Sequence, residues 1–266
     1  MKSFQMKALA LAVLGLAGFG FASSAFATCP FPYDQAHGGA WSAQLANQGS
    51  LAAGSPGLEI ATPSACKMAA FLNSGSDPTA TAAVADTSPT NEASYHFRFY
   101  IDTSTLTNLP NLTSVQIFAA NSANTFPLSG NAQTAAMLRL GIAGNGTATP
   151  NLVAVYSCNV PAQNYVCLGT TPLTAGVHWI EGHLSKGVSG FANIWVDKAS
   201  IASDSSPTPQ IALTGDNSGW NGVDLAALGL GGASPNFRKA SGGFGGATHT
   251  VGFDAFDSRR QTFIGQ

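Results

Sequence analysis

Alternation of apolar and polar residues becomes regular only after Glu92. In EASYHFRFYID, Tyr95, Phe97 and Phe99 fall on one side and His96, Arg98 and Tyr100 on the other, the period of a half-buried strand. TSVQIFAAN follows, and AAMLRLGIAG sets Met137, Arg139 and Gly141 against Leu138, Leu140 and Ile142. NLVAVYSC and NYVCLG predict a hairpin. GVHWIEGHLSK and FANIWVDKASI predict another, with Trp179, Glu181 and His183 on one face and Ile180, Gly182 and Leu184 on the other. Ile194 and Val196 match Ile180 and Leu184 as an inward face, which places Trp179 and Trp195 on the opposite one; large apolar groups on both faces leave the reverse assignment open. DLAALGLGG reads as a strand or a short turn of helix, and His249–Phe256 as a closing strand. ASDSSPTPQ and SPNFRKASGGFGGATHT read as loops.

Residues 28–91 lack a lasting period and are expected to be irregular, with one short helix over Ser64–Leu72 capped by Ser64. Many short strands separated by Gly, Pro and Asn turns, with no long helix, predict an all-β sandwich. The expected organisation is a single domain over 28–266, its patterned part spanning 92–266.

The opening stretch changes the compartment. Lys2 and Lys7 precede an apolar run that ends in Ala25-Phe26-Ala27, the pattern of a secretory signal peptide over residues 1–27. The mature chain is then expected to begin near Thr28 and to be secreted, into either the medium or a periplasm. No later run has the roughly 18 apolar residues of a membrane span. Removing Lys2 and Lys7 leaves 9 basic residues against 13 acidic ones with no basic stripe, which argues against nucleic acid as a partner. Four cysteines in an exported chain predict two disulfides. Neighbour pairing is the simplest: Cys158–Cys167 would clip the NVPAQNYV hairpin loop, and Cys29–Cys66 would tie down the N-terminal arm. Two other connectivities remain open.

Two segments carry a resemblance. GVHWIEGHLS with GFANIWVDKASI resembles the central hairpin of concanavalin A-like and laminin-G-like jelly rolls. There, a strand opened by a His-Trp or Trp-His pair precedes one ending in Val-Asp-Gly or Ile-Asp-Gly. Lys198 stands here where that glycine would be. GFDAFDSRRQTFIG resembles the terminus of secreted bacterial domains of this fold, and YHFRFYID the strand before their large sheet. The resemblance implies a jelly-roll sandwich of two antiparallel sheets. That superfamily holds lectins, glycosidases, polysaccharide lyases and structural modules, so activity must be read from sites. It also implies a structural calcium near the last strand, for which Asp254 matches in position and Asp34 could contribute. Calcium takes about six to eight oxygen ligands.

The glucanases of the superfamily carry Glu-x-Asp-x-x-Glu on one strand. The three glutamates here, Glu59, Glu92 and Glu181, do not form it. Asp254 and Asp257 are an odd number apart, so a regular strand sends them to opposite faces unless a bulge intervenes. A polysaccharide lyase needs a base, a charge-neutralising group and an aromatic platform. His183, Arg98, Tyr100 and Glu181 beside Trp179 are the candidates. For sugar binding without catalysis, the candidates are Trp179 and the loop TGDNSGWNGVD, with Trp220, Asn221 and Asp216. Asn217 and Asp224 lie on that loop, and Trp41 is a further tryptophan in a glycine-rich setting. Arg259 and Arg260 are expected to pair with Asp254 or Asp257. No Gly-x-Ser-x-Gly elbow or His-Glu-x-x-His helix is present. The first expectation is therefore a secreted, non-catalytic module that binds a glycan or serves structure. The alternatives are a polysaccharide-active enzyme, more readily a lyase than a glycosidase, and a protein–protein surface module.

Overall fold

The computed structural model describes residues 41–54, 57–58, 66–73, 75–122, 136–159, 165–241, 249–259 and 263–264. The expected signal segment, Asp34 and Cys29 lie outside them, as does Arg260.

Fourteen strands and one short helix lie among the described residues. They are β1 (Ala43–Asn47), β2 (Gly49–Gly54), β3 (Lys67–Leu72), β4 (Thr81–Asp86), β5 (Ser94–Asp102), β6 (Ser114–Asn121), β7 (Ala136–Ala143) and β8 (Asn151–Asn159). β9 (Tyr165–Pro172), β10 (Val177–Ser185), β11 (Gly190–Val196), β12 (Ile211–Gly215), β13 (Leu225–Gly231), α1 (Pro235–Ser241) and β14 (Val251–Arg259) follow. Two antiparallel seven-stranded sheets result. One, the cover sheet, runs β1-β4-β13-β6-β7-β8-β9; the other, the site sheet, runs β12-β11-β10-β5-β14-β3-β2. The chain is thus an all-β jelly-roll sandwich.

The core lies between the sheets. Phe97 and Phe99 of β5 meet Phe118 of β6, with the Phe97 and Phe118 rings 4.2 Å apart. Ile180, Leu184 and Ile194 are buried in the same layer, as their alternation predicts. Gly182 has no side chain for a packing reason: a Cβ there would come within 2.2 Å of the Phe97 ring. Cys158 and Cys167 are bonded across the β8–β9 hairpin. Cys66 is also oxidised, and the expected Cys29 lies outside the described residues.

Several expectations give way. Residues 43–86 carry four strands instead of irregular chain. AQLAN, GSLAAG and TAAVAD are rich in alanine and glycine, and so offer little polar contrast for a period to show. The expected helix over Ser64–Leu72 gives way to β3, where Met68, Ala70 and Leu72 are buried and alternate with half-exposed residues. Ser64 itself lies outside the described residues. Part of the expected glycine-rich loop is α1. Its start had a readable signal, Ser at the cap followed by Pro at the first helical position. Ser234 Oγ accepts the Phe237 N–H at 3.3 Å, and Phe237 is fully buried. DLAALGLGG resolves to a strand, β13.

Candidate functional site

The outer face of the site sheet gathers most of the titratable side chains that sequence singled out. Strand register sets them in rows. Ser94, Ser185, Phe191 and Thr214 cross the sheet at one end. The next row holds His96, His183 and Asn193, and the next Asp257, Arg98, Glu181 and Trp195. Asp254, Tyr100 and Trp179 form the last.

The exception allowed for the two aspartates, an intervening bulge, is met here. A bulge falls between Asp254 and Asp257, where Ala255 takes a φ of 45°. One extra residue restores parity, so both carboxylates belong to the outer face. They still do not form a catalytic pair. Asp254 accepts the Leu58 N–H at 2.7 Å and the Ala255 N–H at 2.8 Å, which fixes the bulge and the crossing chain.

The centre of this face is sealed. Tyr100, Trp179 and Trp195 pack with Leu58 and Ile201 in a second apolar cluster, joined by Phe263. Trp195 donates its indole N–H to the Pro207 carbonyl at 2.7 Å. Glu181 is fully buried and accepts the Ile264 N–H at 2.8 Å. His183, Arg98, Tyr100 and Glu181 thus share one face, but Glu181 and Tyr100 lie beneath the covering chain. Trp179 is 2% exposed and offers no open ring to a sugar. Trp220 is 3% exposed, so it too presents no ring face. It anchors its loop together with Asn217, whose amide donates to Tyr156 Oη at 2.6 Å and whose carbonyl accepts the Gly187 N–H at 2.7 Å. Asp216 closes a turn onto Ser218, whose two hydrogen bonds hold its carboxyl below the usual carboxylate range. Asn221 is exposed, and Asp224 accepts the Asn91 N–H at 2.6 Å. Trp41 is buried against Phe256, ring to ring at 4.6 Å.

The Ser94 end is different. His183 sits between a carboxylate and a hydroxyl: Nδ1 is 2.6 Å from Asp204 Oδ1, and Nε2 is 3.0 Å from Ser94 Oγ. A carboxylate only accepts, so Nδ1 carries the proton and Nε2 is left to accept from the serine. Asn193 Nδ2 reaches Asp204 Oδ1 at 3.4 Å and the Asp204 carbonyl at 3.3 Å, steadying the acid. The His183 ring is stacked on His96 at 3.7 Å and flanked edge-on by Phe191 and Phe263. Burial first, and the adjoining His183 second, push His96 down to about 4, which keeps it neutral near pH 7. Ser94, Asp204 and Phe191 remain half-exposed.

Sequence reasoning selected His183 but missed Ser94 and Asp204. Ser94 follows the familiar strand parity from His96, and a paired register with β10 would have placed it diagonally from His183. Asp204 comes from the loop ASDSSPTPQ, and nothing local announces its partner.

No protein-family model matches the chain, and no curated protein matches it. Among solved structures, an endo-β-1,4-glucuronan lyase from the fungus Trichoderma reesei is similar at 13% identity, over 82% of this chain and 90% of that one, with a TM-score of 0.52. A cellulose-induced protein is similar at 14% identity, over 83% and 89% of the two chains, with a TM-score of 0.45. A family 7 alginate lyase is similar at 7% identity, over 75% and 80%, with a TM-score of 0.46. The lyase from Trichoderma reesei shares the sandwich architecture. The likeness of the terminal stretch to particular secreted bacterial domains has no counterpart among these structures.

Proposed function

We propose that the protein acts on an extracellular polysaccharide, with His183 as general base at the open end of the site sheet's outer face. The observation that carries this is the polarity of His183. Its Nδ1 is committed to Asp204, so Nε2 is the acceptor on the side of the half-exposed Ser94. Arg98 lies one row away on the neighbouring strand, its guanidinium carbon 6.0 Å from the Tyr100 ring centre. A disulfide across β8–β9 agrees with export, and no described helix is long and apolar enough to cross a membrane. A glucuronan lyase builds a similar sandwich, which supports a glycan-directed use of this scaffold without assigning the reaction.

A second reading, a non-catalytic glycan-binding or structural module, is favoured by the sealed centre, where Leu58, Ile201 and Phe263 cover the aromatic row. Turnover separates the two. The mature protein should be incubated with neutral and uronic polysaccharides while ultraviolet absorbance, reducing ends and released acid are followed. A product whose formation is lost in H183Q supports the enzyme. Glycan-array binding with no product in any assay would sink it in favour of the binding module.

A further inference from the structure

From the geometry around His183 we propose that Ser94, His183 and Asp204 form a nucleophile–base–acid triad that hydrolyses acyl esters carried on a glycan. The glycan part rests on the function proposed above; the triad itself does not. Three residues from three segments converge: Ser94 opens β5, His183 lies in β10, and Asp204 projects from the loop between β11 and β12. The two links measure 3.0 and 2.6 Å, each within hydrogen-bond reach. Roles follow from chemistry. Asp204 holds the imidazole by Nδ1 in the tautomer that leaves Nε2 basic, and Nε2 faces the serine hydroxyl.

The same geometry argues against elimination by His183 alone. Nε2, the nitrogen left to act as a base, already faces the Ser94 hydroxyl. Its ring is held by His96 on one flat side, with Phe191 and Phe263 at its edges. A base held in this way activates the neighbour it already touches.

The reaction balances with water as the only co-reactant. Ser94 Oγ attacks the ester carbonyl carbon as its proton passes to His183 Nε2. The tetrahedral adduct breaks its bond to the sugar oxygen, which leaves with that proton as an alcohol. Water then attacks the acyl-serine, giving its proton to Nε2, and the carboxylic acid departs as Ser94 regains its hydrogen. The surroundings favour a small acyl group on a neutral glycan. Phe191 crowds the base, Ser185 and Thr214 complete the row of Ser94 with hydroxyls, and Asp204 would repel an anionic chain.

The intact protein should be treated with a fluorophosphonate probe, with the adduct mapped by mass spectrometry, and assayed with p-nitrophenyl acetate and an acetylated polysaccharide. A single adduct on Ser94 is expected. S94A should lose it and keep the wild-type melting temperature. D204N should slow both labelling and hydrolysis by about 10²–10⁴-fold. A serine that merely caps a histidine would not react with the probe. No adduct on Ser94, or S94A hydrolysing at the wild-type rate, overturns the triad. If Ser94 is labelled but no acetate leaves the polysaccharide, the triad stands and the glycan assignment fails. If polysaccharide is turned over in a His183-dependent way while Ser94 stays inert, the opposite holds.

Discussion

Two histidines on the same strand are each bound to an aspartate, and they differ in what faces the second nitrogen. His178 Nδ1 is 2.7 Å from Asp197 Oδ2, and its Nε2 is 2.8 Å from the Thr174 carbonyl. Thr174 Oγ1 also lies 3.3 Å from Nε2, but the nearer carbonyl can only accept, so both nitrogens are placed to donate and the protonated ring is favoured. The hydrogen bond to Asp197 is the main cause that raises its pKa, with the Thr174 carbonyl adding to it against burial. His183 has the same carboxylate contact at Nδ1, yet its Nε2 meets a hydroxyl that can donate. One pair is a clamp that ties β10 to the end of β11. The other is a base. A histidine–aspartate contact alone therefore does not mark a reactive site; the partner of the remaining nitrogen decides.

The sharpest way to break this contrast is to remove each ring. H183Q should lose ester hydrolysis by about 10³-fold or more, read with p-nitrophenyl acetate. H178Q should leave the rate within a few-fold of wild type. Equal losses in the two variants would show that both histidines act through folding alone. The acids come next. D204N should act on rate with little change in melting temperature. D197N, which keeps only one of the two acceptor oxygens that serve His178 and the Trp179 N–H, should cost about 1–2 kcal/mol in denaturant unfolding and spare the rate.

The effect of pH on stability is smaller and runs in opposite directions for two rings. His178 has a raised folded pKa. Its contribution is complete below the unfolded value of about 6.5 and is lost as pH rises through the folded one. His96 is lowered to about 4, so stability falls as pH drops from about 6.5 to about 4, by an amount on the order of 1–3 kcal/mol. Unfolding curves across pH 4–8 should lose their acid slope in H96Q and their alkaline slope in H178Q. A wild-type profile in either variant would remove that ring from the account.

Much of the site sheet was legible as pattern. That Ile180, Leu184, Ile194 and Val196 share one face, and Trp179, Glu181 and His183 the other, follows from period-two alternation; the core settles which is inward. Outward orientation did not mean exposure. Trp179 and Glu181 are buried because Leu58, Ile201, Phe263 and Ile264 cross over that face from segments distant in sequence. The alanine-rich strands β1, β2 and β4 escaped notice because small side chains pack well in either direction and leave no periodic contrast. Spacing alone left the faces of Asp254 and Asp257 dependent on a bulge, which the left-handed residue at Ala255 supplies.

By itself the sequence determined that the chain would fold as paired antiparallel strands, which residues would share a face of the central hairpin, and that Cys158 and Cys167 were placed to close theirs. These are local properties, set by alternation and short loop closure. Tertiary structure alone decided which polar groups meet. Ser94, His183 and Asp204 are separated by 89 and 21 residues and lie on three different segments. Their contact depends on the pairing of β5 with β10 and on the path of one loop, neither of which leaves a trace in spacing. It also decided the difference between His178 and His183, because that difference rests on whether a carbonyl or a hydroxyl is the nearer partner of Nε2.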